Sequence, residues 1–522
     1  MLETAIIGGG LCGLTLARRL SAAGVSCALF EARERFGGRI LSVPCGGTGM
    51  RVDLGPGWFW PESQPLMTKF VQELSLSDFP QHDDGSALWL RDPDKKPESM
   101  QGEPVYSGAR RLDGGMASLV ERILEDLPPD RLHLQHVLKG VHDHEDHVVL
   151  EFECDGAPVT VATRHVVLAA PPRLLEERIH FEPPLEDDLA AAMKGTETWM
   201  AAHAKIVIGY DRPYWREAGH TGNGFADHEQ AVIGEIYDSC DASGRSAALG
   251  GFLALSPEQR ELFQVGLPIL MDSQMTQFFG VELAEGEQHY QDWAKEGFTC
   301  AALDRVTPSG PHASVANPLL RGTLWGGRLY LGGSEASAHG TGYLEGALEA
   351  AQRIERVLLN GRALMPRAGR MSERGDNETS LEQFRAWVGL QNDSAFNGYR
   401  HRLNLSLSRQ QRDQLTQRAL LESVEEVFSA ALGRLEELPF QTGGVTVERG
   451  RSALTPLVQA PFGALLKSLV DDVVAFNRTS CALSNFPWEH KLGGEYMQVI
   501  LRDIAAAWQE FSRAANALLL VK

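Results

Sequence analysis

The feature that most constrains this chain is a glycine run close to its start, Gly8-Gly9-Gly10-Leu11-Cys12-Gly13, set directly after the apolar Ala5-Ile6-Ile7. The pattern Gly8-x-Gly10-x-x-Gly13 predicts a strand, a tight turn and a helix through Leu14-Thr15-Leu16-Ala17. Gly8 and Gly10 let the backbone approach a pyrophosphate, and Gly13 lets helix and strand pack closely. The helix N-terminus adds N–H groups and a positive dipole end. A second strand is expected over 25–30, ending at Glu31, where a carboxylate can reach a ribose hydroxyl. These residues imply a bound dinucleotide. The acid alone does not choose between NAD and FAD.

At 522 residues the chain exceeds one simple core, and two or three domains are expected. Its 49 basic and 69 acidic residues give a net charge of -20, which argues against a nucleic-acid partner. The same charge mildly favours a cationic ligand, within a screening length of about 10 Å. Residues 1–7 lack a basic start and a cleavage site, and no apolar run approaches the ~20 residues of a membrane span. With seven scattered cysteines, a cytoplasmic, reduced setting is the expectation.

Further along, strands are expected at 148–152, 166–170 and 204–210, and one helix over 257–279 with Ser256 as N-cap and Pro257 at its first position. Polar residues at 366–378 suggest a linker. Beyond it helical signals dominate. Thr379-x-x-Glu382 and Ser408-x-x-Gln411 have the form of capping boxes. Leu415, Leu420, Val424, Val427 and Phe428 recur at helical spacing, and 496–519 reads as one more amphipathic helix. His133, His136, His142, His144 and His147 are crowded, but their spacing fits surface strands better than a metal site.

The segment after Glu31 points to FAD. Ala32-Arg33-Glu34-Arg35-Phe36-Gly37-Gly38-Arg39 resembles the Glu-Ala-x-x-x-x-Gly-Gly-Arg signature of the flavin amine oxidase family. Asp53-Leu54-Gly55-Pro56-Gly57-Trp58, Gly114-Gly115-Met116, Val137, the 166–172 strand with its Pro171-Pro172 exit, and Leu331-Gly332-Gly333-Ser334-Glu335 with Gly342-Tyr343-Leu344-Glu345-Gly346-Ala347 come next, in the family's order. The resemblance covers roughly 3–365 and extends to the polyamine oxidases and histone lysine demethylases. It implies an α/β fold with a Rossmann-type FAD-binding domain (1–62, 112–185, 303–366) interleaved with a mixed α+β substrate domain (63–111, 186–302). A C-terminal helical region, 379–522, has no counterpart there.

The resemblance also implies roles. Gly8, Gly10, Cys12, Gly13, Glu31, Arg33, Gly38, Arg39, Gly57, Trp58, Val137, Glu335, Tyr343 and Leu344 would hold FAD, with Arg39 at the pyrophosphate, Val137 at the adenine and Glu335 at the ribityl or phosphate region. Lys205, ahead of Tyr214-Trp215, matches the lysine that holds a water against flavin N5. Tyr343 matches one of two facing rings that guide the amine. The other position falls near Leu303, so this chain has half the cage or another ring supplies the second wall, with Trp58, Trp60 and Trp293 as candidates. No cysteine lies in the Tyr343 segment, so FAD is expected to be non-covalent, and Cys300 reads as a small buried residue. His339, in the turn before Tyr343, is a further candidate for the substrate channel. The implied reaction moves a hydride from the carbon beside a neutral amine to flavin N5. The imine hydrolyses to a carbonyl compound, and O2 becomes H2O2.

Other readings stay open on the same residues. An L-amino acid oxidase, an amine dehydrogenase, a protoporphyrinogen oxidase or a carotenoid desaturase could share the scaffold. Gly57-Trp58-Phe59-Trp60-Pro61 lacks the arginine that pairs a substrate carboxylate, and Lys205 argues against the last two. From another class, a flavin-binding partner subunit could dock through the helical tail. That tail could instead complete the substrate wall or form a homodimer interface.

Overall fold

The computed structural model describes all residues except 47–48, 101–104, 307–316, 364–376, 409–413, 441–446, 449–450, 481–482, 484–485 and 522. It divides into two compact units, Met1–Pro366 and Arg367–Lys522.

In the first unit, the expected strand, turn and helix are Leu2–Ile7 and Leu11–Ala22 joined through the glycines. The Leu2–Ile7 strand sits between Cys27–Phe30 and Ala157–Leu168, parallel to both. The C-terminal half of Ala157–Leu168 also pairs in parallel with Leu329–Leu331. Its N-terminal half turns away to pair antiparallel with Val148–Cys154. Ala5, Ile6, Leu29 and Phe30, which point to alternate faces of the sheet, are all buried, as strands covered on both sides require. Helices Leu11–Ala22, Ala117–Glu125 and Leu344–Ala363 supply Leu14, Leu119 and Ile354 to one covering layer.

A second sheet runs in the order Glu287–Asp292, Ala204–Tyr210, Ala247–Leu253, Ile233–Asp238, His220–Ala226, Ser86–Leu90 and Glu98–Met100. Its Ala204–Tyr210 strand is buried throughout, matching the expected bounds. The Ser256 capping box is present in both directions, but the single helix expected over 257–279 is two helices, Pro257–Leu262 and Leu267–Phe279. Pro268 explains the break. It lacks an N–H, which a continuous helix would need there, and suits the first turn of a new helix, where none is needed.

The second unit is helical, with Asn377–Gly389, Gln391–Ser408, Leu415–Glu437, Phe462–Thr479 and Gly494–Val521 as its long elements. Leu415, Leu420, Val424, Val427 and Phe428 are buried as their spacing implied. The Thr379 capping box does not start a helix. Thr379 lies inside the helix that begins at Asn377, and Ser408 ends one; Gln411 lies outside the described residues. The start of Leu415–Glu437 is held by Glu489, whose carboxylate accepts from the amides of Leu415 and Thr416 at 2.8 and 3.0 Å. That is a distant residue serving as cap, which local sequence cannot show. The expected 366–378 linker lies almost wholly outside the described residues. Among the described residues no helix is long and apolar enough to cross a membrane.

Candidate functional site

The glycine turn is built as its spacing demands. Gly8 has φ +107, and a Cβ there would sit 2.4 Å from Ala169 O; a Cβ on Gly13 would sit 2.0 Å from Gly8 O. Gly13 therefore serves the strand-helix contact. Gly10 differs, because a Cβ there would meet nothing within 4 Å and would project into open space. That space belongs to a cavity of about 920 Å³, which runs from His136 and Val137 past Gly10 and Arg39 to Lys205 and Tyr343. Its size suits an extended cofactor plus a small substrate.

Glu31 is buried and fixed. Its Oε2 accepts from Gly9 N at 2.7 Å and its Oε1 accepts from Arg33 N at 3.0 Å. Arg33 also lies 3.2 Å from Glu31 and 3.4 Å from Glu296. Arg39 lines the cavity and pairs with the fully buried Glu335 at 2.7 Å. Burial by itself would push the Glu335 carboxyl up, but the charge and hydrogen bonds of Arg39, with Ser334, hold it below the ordinary range. Cys12 packs under the turn, where its Sγ receives Gly333 N at 3.2 Å and burial pushes its thiol up to about 11. It serves packing here, since thiolate character is suppressed.

Lys205 lies at the far end. Its Nζ donates to Gly55 O at 2.7 Å and stands 5.2 Å from the Trp58 ring centre, 5.3 Å from Tyr237 and 5.5 Å from Phe252. Burial pushes its ammonium down to about 7; Asp53 opposes this, Arg111 adds to it and Glu235 opposes it. Gly57 lies against the lysine, since a Cβ there would stand in ordinary contact with Nζ at 3.5 Å. Trp58 is oriented by its own Nε1, which donates to Gln81 Oε1 at 2.8 Å. Trp293 is likewise pinned, through Nε1 to Leu54 O at 3.0 Å.

Of the residues singled out in the sequence, the cavity gathers Gly8, Gly10, Cys12, Glu31, Arg33, Gly38, Arg39, Gly57, Trp58, Trp60, Val137, Lys205, Trp293, Tyr343 and Leu344 along its wall. Gly13 and Glu335 stand behind that wall. Leu303 is not in it: it sits on the short helix Ala302–Val306, half-buried and away from the lining. The ring beside Tyr343 is instead Trp199, with centroids 5.6 Å apart at 42°. Gly342, at φ +82, makes this contact possible, since a Cβ there would lie 2.5 Å from Trp199 Cβ. Sequence reasoning missed Trp199 and also missed His203, a lining residue whose Nδ1 is buried and finds no hydrogen-bond partner among the described residues. Both come from the loop before the Ala204–Tyr210 strand, where no periodicity marks a side chain as inward. The crowded histidines lie on strands and turns, with His142 paired to Glu151 and Glu182 at 3.3 and 3.0 Å.

A parallel sheet with a glycine turn, a fixed carboxylate at the end of the second strand and a long cavity ending at a buried lysine are the features of a dinucleotide-binding site. The family model for flavin-containing amine oxidoreductases matches residues 96–354, and an NAD(P)-binding Rossmann-like model matches 6–74. The chain belongs to the flavin amine oxidase family. It is 27% identical over 263 residues to flavin-containing amine oxidase B of Sus scrofa, covering 49% of this chain and 48% of that one. Against flavin-containing amine oxidase A of Equus caballus it is 26% identical, covering 48% and 46%. The chain thus aligns over about half the length of these relatives. In fold it is similar to putrescine oxidase bound to putrescine, with TM-score 0.57, 20% identity and coverage of 69% of this chain and 99% of that one. It is similar also to cyclohexylamine oxidase from Brevibacterium oxydans IH-35A, with TM-score 0.56, 17% identity and the same coverages.

The residues fit FAD on structural grounds. Gly10 opens onto the space a pyrophosphate would fill, the amides opening Leu11–Ala22 face it, and Glu31 stands at the second strand's end.

Proposed function

We propose that this chain oxidises an amine using FAD held non-covalently in the 920 Å³ cavity. The observation that carries the reading is Lys205, a buried lysine lowered to about 7 at the aromatic end of a dinucleotide cavity. Perturbed ionisable groups in a cleft mark functional sites.

The flavin, when bound, supplies a two-electron acceptor for the carbon beside the amine nitrogen. Gly8, Gly10 and the helix N-terminus would hold its pyrophosphate, Glu31 its ribose, and Val137 would lie along its adenine. Lys205 Nζ, anchored on Gly55 O, would hold a water and pass a proton at the inner end. Tyr343 and Trp199 would orient the amine nitrogen. The apolar walls from Trp58, Trp60 and Phe252 exclude water and favour an amine that enters deprotonated. The oxidised amine would hydrolyse to a carbonyl compound, with dioxygen as the final acceptor and peroxide its product.

The lining also bears on the substrate. Its arginines, Arg33, Arg39 and Arg178, are each paired with a carboxylate of this chain, Glu31, Glu335 and Glu177. That favours an amine without a carboxylate over an L-amino acid.

The test is anaerobic mixing of the yellow holoprotein with a panel of amines and L-amino acids. Bleaching by an amine, then peroxide release in air, is the expected result. Bleaching by amino acids alone, or by nothing in the panel, overturns the proposal.

A further inference from the structure

Away from the cavity, three ligand-type side chains converge on the edge of the second sheet. Glu287 and His289 lie two residues apart on the Glu287–Asp292 strand, so both project from the same face. Cys45 reaches them from just after the Ser42–Pro44 strand of a short hairpin that returns through Arg51–Asp53. Sγ of Cys45, the Glu287 carboxylate and an imidazole nitrogen of His289 all lie within 4.8 Å of one another. Cys45 Sγ stands 3.8 Å from Glu287 Oε2, and His289 Nε2 stands 3.0 Å from Glu287 Oε1.

Several details point to a built arrangement. Gly209, paired with Glu287 on the neighbouring strand, makes room for the thiol, since a Cβ there would lie 2.3 Å from Cys45 Sγ. Gly46 N donates to Glu287 Oε1 at 2.9 Å and holds the exposed carboxylate beside the thiol. His289 Nε2 is buried and makes no hydrogen bond among the described residues, although it faces that carboxylate. A bare His–Glu ion pair would not need a buried thiol beside it, nor a glycine kept to admit that thiol.

We propose that Cys45, Glu287 and His289 bind a thiophilic divalent cation of the zinc class, with water in the fourth position. A thiolate, an imidazole and a carboxylate suit Zn2+, whose bonds of about 2.0–2.3 Å place tetrahedral ligand atoms about 3.2–3.6 Å apart. The observed 3.0 and 3.8 Å separations bracket that range. Binding releases the thiol proton to solvent. The ion acts as a clip. Lys205, Val207 and Gly209 share one face of the Ala204–Tyr210 strand. The clipped hairpin continues into Leu54 and Gly55, whose carbonyls receive Trp293 and Lys205.

The test uses tag-free, FAD-loaded full chain, stripped with a chelator and titrated with Zn2+ and with Co2+ as a spectroscopic probe. One equivalent should bind, with a thiolate-to-cobalt charge-transfer band and a raised unfolding temperature. Cys45→Ser and His289→Gln should each lose the band or weaken binding at least about 10–100-fold, while Cys154→Ser, away from the cluster, should not. Retained flavin absorbance certifies that each variant is folded. If Cys45→Ser fails to fold, His289→Gln and Glu287→Gln carry the comparison. Absence of stoichiometric binding to the wild type, or binding undiminished in the ligand variants, overturns the proposal.

Discussion

Arg39 and Glu335, 296 residues apart in the chain, meet at 2.7 Å with the carboxylate almost wholly removed from solvent. The pair ties the second glycine turn, Gly37-Gly38, to the turn before Leu344–Ala363. Glu335→Gln should leave the Arg39 charge without its counterion beside the cofactor. Because Arg39 keeps about a quarter of its side-chain surface exposed, the cost should be about 2–4 kcal/mol rather than the full value for a buried pair. Glu335 is held below its ordinary 4.5, so its contribution is present above that pH and is lost as pH falls through the lower folded value. Thermal unfolding of wild type and variant should therefore converge as the pH drops below 4.5. The variant should also lose FAD on desalting.

Lys205→Met should slow reoxidation of the reduced flavin by dioxygen, measured by stopped-flow mixing. Unchanged oxidative kinetics would remove Lys205 from that role. The substitution also carries a stability signature. The folded ammonium titrates near 7 and the unfolded one near 10.5, so the unfolded state binds the extra proton between those values. Wild-type stability gains with rising pH across that window, and the penalty of the buried charge is fully present below 7. Lys205→Met removes that penalty, on the order of a few kcal/mol. Its advantage in unfolding temperature over wild type should be larger at pH 6 than at pH 10.

Gly342→Ala would place a methyl group 2.5 Å from Trp199 at a positive φ. It should strain the turn by about 1 kcal/mol or more and displace the Trp199–Tyr343 pair. Amine-driven bleaching should slow at least about tenfold, as misplacement near reacting atoms does, while FAD stays bound. Trp199→Leu should raise the amine concentration needed for half-maximal bleaching.

In the helical unit, Tyr399 donates to Asn477 Oδ1 at 2.6 Å, and Asn477 donates to Thr416 at 2.7 Å, all of them buried. Tyr399→Phe leaves the amide oxygen unsatisfied at a cost of about 1–3 kcal/mol. Chemical denaturation monitored by far-UV circular dichroism should show that loss. An unchanged midpoint would mean water replaces the hydroxyl.

Much of the fold and cavity was legible in the sequence because the relevant constraints are local. The glycine spacing and Glu31 announce themselves through backbone geometry, while Arg39 and Lys205 stand out through the resemblance of their segments to the flavin amine oxidase family. Trp199 was not legible, because its place beside Tyr343 depends on a loop folding over Gly342, 143 positions later in the chain and without periodic signal. Leu303 misled for the converse reason. The family resemblance put it at the cavity wall, whereas the Ala302–Val306 helix carries it elsewhere, anchored by Asp304, which receives Arg173 at 2.6 Å. Pro268 divides the helix expected over 257–279 by a constraint as local as the glycine spacing, since apolar periodicity continues through a proline that the backbone cannot ignore.

The central strand Leu2–Ile7 has one neighbour, Cys27–Phe30, that comes directly after it in the chain, while the other, Ala157–Leu168, is itself flanked by Leu329–Leu331. On a ribosome, Ala157–Leu168 emerges after Leu2–Ile7 and Cys27–Phe30 and then waits for Leu329–Leu331, which is made much later. The second sheet, spanning Ser86–Leu90 to Asp292, is complete before that. The nested sheet can therefore mature first, and the nucleotide fold closes around it from outside. Nascent chains arrested before Leu329 should resist protease in the second sheet yet remain cleavable near the glycine turn. The nucleotide sheet, begun before the nested one, would then be completed after it.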